Sequence, residues 1–172
     1  MLCSFVGFGV LFYPIASIYL FPPTISSNIP QKGTYITIPK IYAQSPVIEE
    51  VDPWNETEYS EALKKGVAQA KGTSLSGQGG TTFLFAHSSG NPFEANRYNT
   101  IFYRLGELVK GDEIVIFRNG EKLVYAVRET KVVKPDETKY LKDISRDQLI
   151  LQTCTPVGTS LKRLLVFADL VK

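Results

Sequence analysis

The chain has 172 residues, 44% of them hydrophobic, enough for one domain with a proper core and an appendage. Its 19 Lys and Arg stand against 17 Asp and Glu, and they alternate with acids, as between Glu61 and Lys65 or Arg128 and Lys134. That pattern excludes a nucleic-acid surface. One histidine and two cysteines exclude a zinc site, so no cofactor is expected beyond, at most, a loosely bound calcium ion.

Residues 1–31 carry no charged side chain. About 20 apolar residues span a bilayer as a helix, so residues 1–21 read as a transmembrane anchor or signal region, with 2–21 in the lipid. Pro14, Gly7 and Gly9 are better tolerated in a membrane helix than in a soluble one. Ser26-Ser27 is a poor cleavage site, which favours an uncleaved single-pass anchor with the folded part outside the cytoplasm. Residues 22–33, bearing Pro, Ser and Asn, are expected as an extended or disordered stalk.

The folded domain is expected over residues 34–172. Residues 35–38 alternate and stop at Pro39 as an opening strand would, and 41–48 continue as a second strand broken by Pro46. Asp52 or Asn55 caps a helix, with Pro53 in its first turn and Asn55 and Glu58 at capping-box spacing. The spacing of Leu63, Val67 and Ala70 predicts that this helix runs to about Ala70 and ends at Gly72, with Trp54 anchoring it to the sheet. After a Ser- and Gly-rich loop, residues 82–86 form a buried strand that ends at His87. Residues 101–108 are assigned a short helix. Asn119-Gly120 between 113–118 and 121–128 is a hairpin turn. Residues 131–133 are read as a further strand, and 134–147 as a polar connection with a turn of helix. Strands at 148–153 and 163–170 complete about eight, an all-β barrel or sandwich pattern.

Three chemically distinctive side chains fall at ends of apolar strands. Cys154 follows Leu149-Ile150-Leu151, Arg163 precedes Leu164-Leu165-Val166, and His87, the one histidine, follows Phe83-Leu84-Phe85-Ala86. An ordinary free thiol is only a few per cent thiolate at neutral pH, so a cysteine nucleophile needs a neighbouring base. His87 suits general base and then general acid, and the guanidinium of Arg163 suits an oxyanion or the carbonyl under attack. Cys3 lies in the apolar segment, where it is compatible with lipid, which leaves Cys154 unpaired in an oxidising exterior. By residue type alone, a packed core cysteine in an anchored, non-catalytic binding module is the rival.

At these residues the chain resembles the sortases, membrane-anchored cysteine transpeptidases of bacterial surfaces. Their Leu-x-Thr-Cys followed by Arg at the next strand appears as Leu151-Gln152-Thr153-Cys154 and Arg163, and their histidine motif as Phe85-Ala86-His87-Ser88-Ser89-Gly90. Ile36-Thr37-Ile38-Pro39-Lys40-Ile41, residues 105–112 and residues 132–138 are also similar. The resemblance implies a closed eight-stranded β-barrel with one or two short helices. It implies Cys154 as nucleophile on an LPxTG-like sorting signal of a surface protein, His87 as acid and base, and Arg163 as the group steadying substrate and oxyanion. An amine of a cell-wall precursor or a pilin lysine would resolve the thioester. Pro135, Leu141, Ile144, Ile150, Gln152 and Thr153 are the candidates for contact with the peptide.

Residues 153–158 and 163–166 resemble the pilin-polymerising and the class D or E branches more than class A. Asp52-Pro53-Trp54 has the composition of a pilin-type lid but follows the first strands. Without a second apolar segment near residue 172, surface-protein anchoring is expected over pilus assembly. The L,D-transpeptidase pattern, with Arg two residues after Cys, is absent.

Overall fold

Asn119 and Gly120 both adopt positive φ, 50° and 87°, the backbone that a two-residue hairpin requires and that Asn and Gly tolerate best. They join β5 (Glu113–Arg118) to β6 (Glu121–Val133), with Arg118 opposite Glu121. The computed structural model describes residues 19–88, 100–142 and 146–172, and in it these strands belong to a closed barrel. The others are β1 (Thr34–Ile38), β2 (Ala43–Val51), β3 (Val67–Ala70), β4 (Thr81–Phe85), β7 (Gln148–Thr155) and β8 (Lys162–Leu170). Around the barrel the order is β1-β2-β3-β4-β7-β8-β6-β5. The β2–β3 and β4–β7 pairs are parallel and the other six pairs are antiparallel.

Alternation along the strands sends one set of side chains into the barrel. Ile36, Ile38, Leu84, Ile114, Ile116, Leu149, Leu151 and Val166 are fully or almost fully buried in that interior, each contributing about 1.5–3 kcal/mol by leaving water. A second, smaller cluster lies on the outer face of β4, β7 and β8. There Phe83, Ile150, Leu165 and Phe167 are covered by Tyr140 and Leu141 from the β6–β7 connection, which contains the short helix α2 (Lys139–Lys142). At the end of the barrel away from Cys154, Asp169 accepts from Arg146 at 3.1 Å and also pairs with Arg128. Arg128 in turn donates to Gln148 at 2.9 Å.

Several sequence expectations need correction. The helix α1 (Glu56–Leu63) is shorter than its periodicity suggests. Asn55 is its cap, accepting from the Glu58 amide at 3.2 Å, while the Glu58 carboxylate accepts from the Asp52 amide at 2.9 Å. The helix stops because Gly66 must pass against β2, where a Cβ would sit 2.3 Å from the Pro46 carbonyl oxygen. Val67–Ala70 then pairs with β2 and β4 instead of extending the helix. Trp54 is 69% exposed and anchors nothing. Pro46 does not break β2, since it stands opposite Tyr35 beside the point where pairing with β3 begins. Residues 131–133 are the end of β6, not a separate strand. The strand count therefore stays at eight because one over-split strand offsets one strand read as helix. Between 101 and 108 only a 3-10 turn forms, Leu105–Glu107.

Residues 22–33 are not a free stalk. The Ser26 amide donates to Gln44 Oε1 at 2.9 Å and Gln44 Nε2 donates back to the Ser26 carbonyl at 2.9 Å. Among the described residues no helix is long and apolar enough to cross a membrane. Most of the run expected as an anchor, residues 1–18, lies outside the described residues.

Candidate active site

Cys154 and Arg163 are direct partners across the antiparallel pair β7–β8. Opposite residues of such a pair project to the same face about 5 Å apart, and here that face is the outer one, shared with Leu165 and Phe167. On the other side of β7, β4 runs parallel with Phe85 level with Gln152. The Ala86 amide continues that ladder by donating to the Gln152 carbonyl at 3.1 Å, and the Thr153 hydroxyl donates to the Ala86 carbonyl at 2.9 Å. Two residues beyond Phe85, the register sets His87 level with Cys154. The three side chains thus form one cross-strand row.

That row opens on a groove of about 790 Å³ lined by His87, Cys154 and Arg163, a size suited to a short peptide segment. One wall comes from α1 and the turn before it, through Pro53, Tyr59 and Leu63. The floor is the outward pair Phe83 and Phe85, with the Tyr59 ring edge-on to Phe85 at 6.4 Å. The β7–β8 loop, from Gly158 to Leu161, forms the other wall.

Cys154 is a free, half-buried thiol. Burial holds the His87 imidazole below its ordinary value, because removing water penalises the charged ring. Neutral imidazole is the form that can accept a thiol proton. The Arg163 guanidinium donates to the carbonyls of Ser160 at 3.1 Å and Lys162 at 3.3 Å. It is thereby held by the backbone of the loop that leads into β8. Among the described residues no group of three or more His, Cys, Asp or Glu side chains is placed to hold a metal.

Of the six residues expected to touch a peptide, Leu141, Gln152 and Thr153 line the groove. Ile150 does not: it points to the same outer face as Gln152 but is 1% exposed beneath Tyr140 and Leu141. Pro135 is exposed at the start of the β6–β7 connection and is also not a lining residue. Ile144 lies outside the described residues. Pro53, Tyr59, Leu63, Phe83 and Phe85 were not anticipated as lining. The alternation Phe83-Leu84-Phe85 already put two phenylalanines on the face of His87, and Tyr59 and Leu63 are one helical turn apart.

A closed eight-stranded barrel with a free thiol, an imidazole and a guanidinium in one row at the mouth of a peptide-sized groove defines the class of structure. The chain belongs to the sortase family: the Sortase domain model matches residues 36–171. It is 30% identical over 145 residues to Sortase D of Bacillus subtilis (strain 168), covering 82% of this chain and 65% of that protein. Among solved structures, sortase A from Corynebacterium diphtheriae superposes with TM-score 0.68 at 33% identity, covering 82% of this chain and 61% of that one. The pilus-related sortase C of Group B Streptococcus gives TM-score 0.67 at 28% identity, covering 88% and 76%. The chain thus spans less than two thirds of the length of the first two of these relatives.

Proposed function

We propose that this protein is a cysteine transpeptidase that cleaves an LPxTG-like sorting signal and transfers the surface protein carrying it to an amine. In the first half-reaction Cys154 Sγ attacks the carbonyl carbon of the signal's Thr while His87 takes the thiol proton. The tetrahedral oxyanion forms beside the Arg163 guanidinium, a cation that does not lose its proton. The peptide C–N bond then breaks, His87 protonates the leaving amine, and a thioester on Cys154 remains. An acceptor amine from a cell-wall precursor attacks that thioester, expels the sulfur, and returns a proton through His87. No metal or cofactor takes part in these steps. Residues 2–21 would hold the enzyme in the cell membrane with the barrel on the outer side.

The observation that carries this reading is the row His87, Cys154 and Arg163 along one rim of the groove. The wild-type chain should release the C-terminal fragment of an LPxTG-like peptide, and Cys154→Ala should release none. Turnover retained by Cys154→Ala would remove the mechanism. A non-catalytic barrel would instead leave both proteins inert and Cys154 resistant to a small alkylating agent. A second reading, with a pilin lysine as the acceptor amine, is favoured by the likeness to the pilus-related sortase C of Group B Streptococcus. Competing the two amines in the same peptide assay separates them.

A further inference from the structure

Residues 19–33 run along the outside of the barrel from one end to the other. At the far end, Gly33 and Asn119 exchange hydrogen bonds at 3.2 and 3.0 Å, and the Gln31 side chain lies where a Cβ on Gly120 would be. The Ser26–Gln44 pair holds the strap beside the start of β2. At the Cys154 end, the Tyr19 hydroxyl donates to Glu107 at 3.2 Å and its ring stands edge-on to Tyr103 at 6.3 Å. The Arg104 guanidinium lies 4.9 Å from the Tyr19 ring centre and 5.8 Å from that of Tyr42. Tyr103, Arg104 and Glu107 belong to the segment that covers the barrel mouth, where a Cβ on Gly106 would meet Leu164 at 3.6 Å. Tyr19, the first described residue, therefore sits at the Cys154 end of the barrel.

That same end carries large exposed apolar side chains on both rims. Leu20 and Phe21 are 70% and 73% exposed, and Leu161 is 69% exposed. Tyr42 in the β1–β2 turn and Val157 in the β7–β8 loop are each 43% exposed. The strand order sets the β1–β2 turn diametrically across the mouth from the β7–β8 loop, so these residues span the whole end and not one edge of it. Lys110 and Lys162 also lie there, exposed. The far end has a different surface: the Gly- and Ser-rich loop before β4, the Asn119-Gly120 turn, and Leu170, Val171 and, in the turn after β2, Trp54 as its exposed apolar side chains among the described residues.

We infer that the Cys154 end of the barrel rests on the lipid surface, with Tyr42, Val157 and Leu161 at headgroup depth. This rests on the reading of residues 2–21 as the membrane anchor. Three features favour lipid over a protein partner. The patch includes Tyr19, Leu20 and Phe21, which in the chain directly follow the uncharged residues 1–18. Its Tyr19, Tyr42 and Arg104 cluster has the amphipathic side chains that settle at a membrane interface. Lys110 and Lys162 add attraction to anionic headgroups. The consequence is that the thiol works close to the bilayer, where a donor or acceptor tethered in lipid reaches it without a long excursion.

The test uses the full chain, carrying Cys3→Ser and Cys154→Ala, reconstituted into phosphatidylcholine–phosphatidylglycerol vesicles. A single environment-sensitive fluorophore is placed on a cysteine introduced at Val157, at Leu161 or, as the far-end control, at Gln78. Headgroup-nitroxide lipids should quench Val157 and Leu161 at least about threefold more than Gln78, as expected for groups at interfacial depth. Equal quenching at all three positions, in vesicles that retain the chain through alkaline carbonate, overturns the orientation and leaves the anchor standing. Release of the chain by carbonate with no probe quenched overturns the anchor and the orientation together. Protection of Leu161 from aqueous iodide that rises with protein density, without lipid quenching, assigns the patch to a second copy of the chain and overturns the proposal.

Discussion

The wall formed by β4, β7 and β8 is apolar on both faces, and the two faces do different things. Leu84, Leu149, Leu151 and Val166 point inward and are sealed by the closure of the barrel itself. Ile150, Leu165 and Phe167 point outward and are sealed only where the β6–β7 connection crosses them, with Phe83 at the boundary, packed in that cluster and also flooring the groove. Farther along the same outer face the cover ends, and Phe85, Gln152, Cys154 and Arg163 line an open groove. One step of two residues, from Ile150 to Gln152, separates a core side chain from a groove side chain. A barrel can thus carry a row of imidazole, thiol and guanidinium on a rigid element without opening its core, because the groove uses the face that closure leaves free.

The comparison is most severely tested at Arg163. Replacing its planar fork by the point charge of Arg163→Lys should lower kcat/KM for an LPxTG-like peptide by about a thousandfold with little change in Tm. An equal loss of stability would mean that Arg163 chiefly anchors the loop carbonyls of Ser160 and Lys162. Next comes Ile150→Ala, which should cost about 2–5 kcal/mol in chemical denaturation while leaving the peptide preference unchanged. Gln152→Ala should do the reverse, shifting peptide preference with a stability change below about 1 kcal/mol. If Ile150→Ala altered selectivity instead, the cover over the lower face would have to open in use.

A smaller effect is expected from pH. Burial sets the folded-state pKa of His87 below its usual 6.5, so as pH falls through that value the unfolded chain binds the proton first. Stability contributed by the neutral ring is present above about pH 6.5 and is lost as pH falls through the folded value. The acid limb of the rate profile should likewise lie below 6.5, and His87→Gln should flatten this part of the stability curve. Smallest of all is Trp54→Ala, which should move stability by no more than about 0.5 kcal/mol, because the indole is mostly in water. A larger loss would restore it as the anchor of α1.

Much of this architecture could be read without coordinates. Alternation along 148–153 and 163–170, the Asn119-Gly120 turn and the Asn55 cap are local matters, decided by side-chain period and backbone tolerance. The convergence of His87, Cys154 and Arg163 was legible too, since each ends an apolar strand and two of them flank one short loop. Three features were not legible, and all are contacts between segments distant in the chain. Val67–Ala70 has a helical spacing, yet Gly66 pressing on Pro46 delivers it to β2 as a strand. Ile150 and Gln152 share a face, and only the path of Tyr140 and Leu141 over that face makes one of them core. Residues 22–33 look like a linker by composition, yet with residues 19–21 they form a strap fixed through Gln44, Asn119 and Arg104. Local pattern determined which residues form strands and which face each side chain takes. Which faces are covered, and by what, was decided only when distant segments packed together, because burial belongs to pairs of surfaces and not to a single stretch of chain.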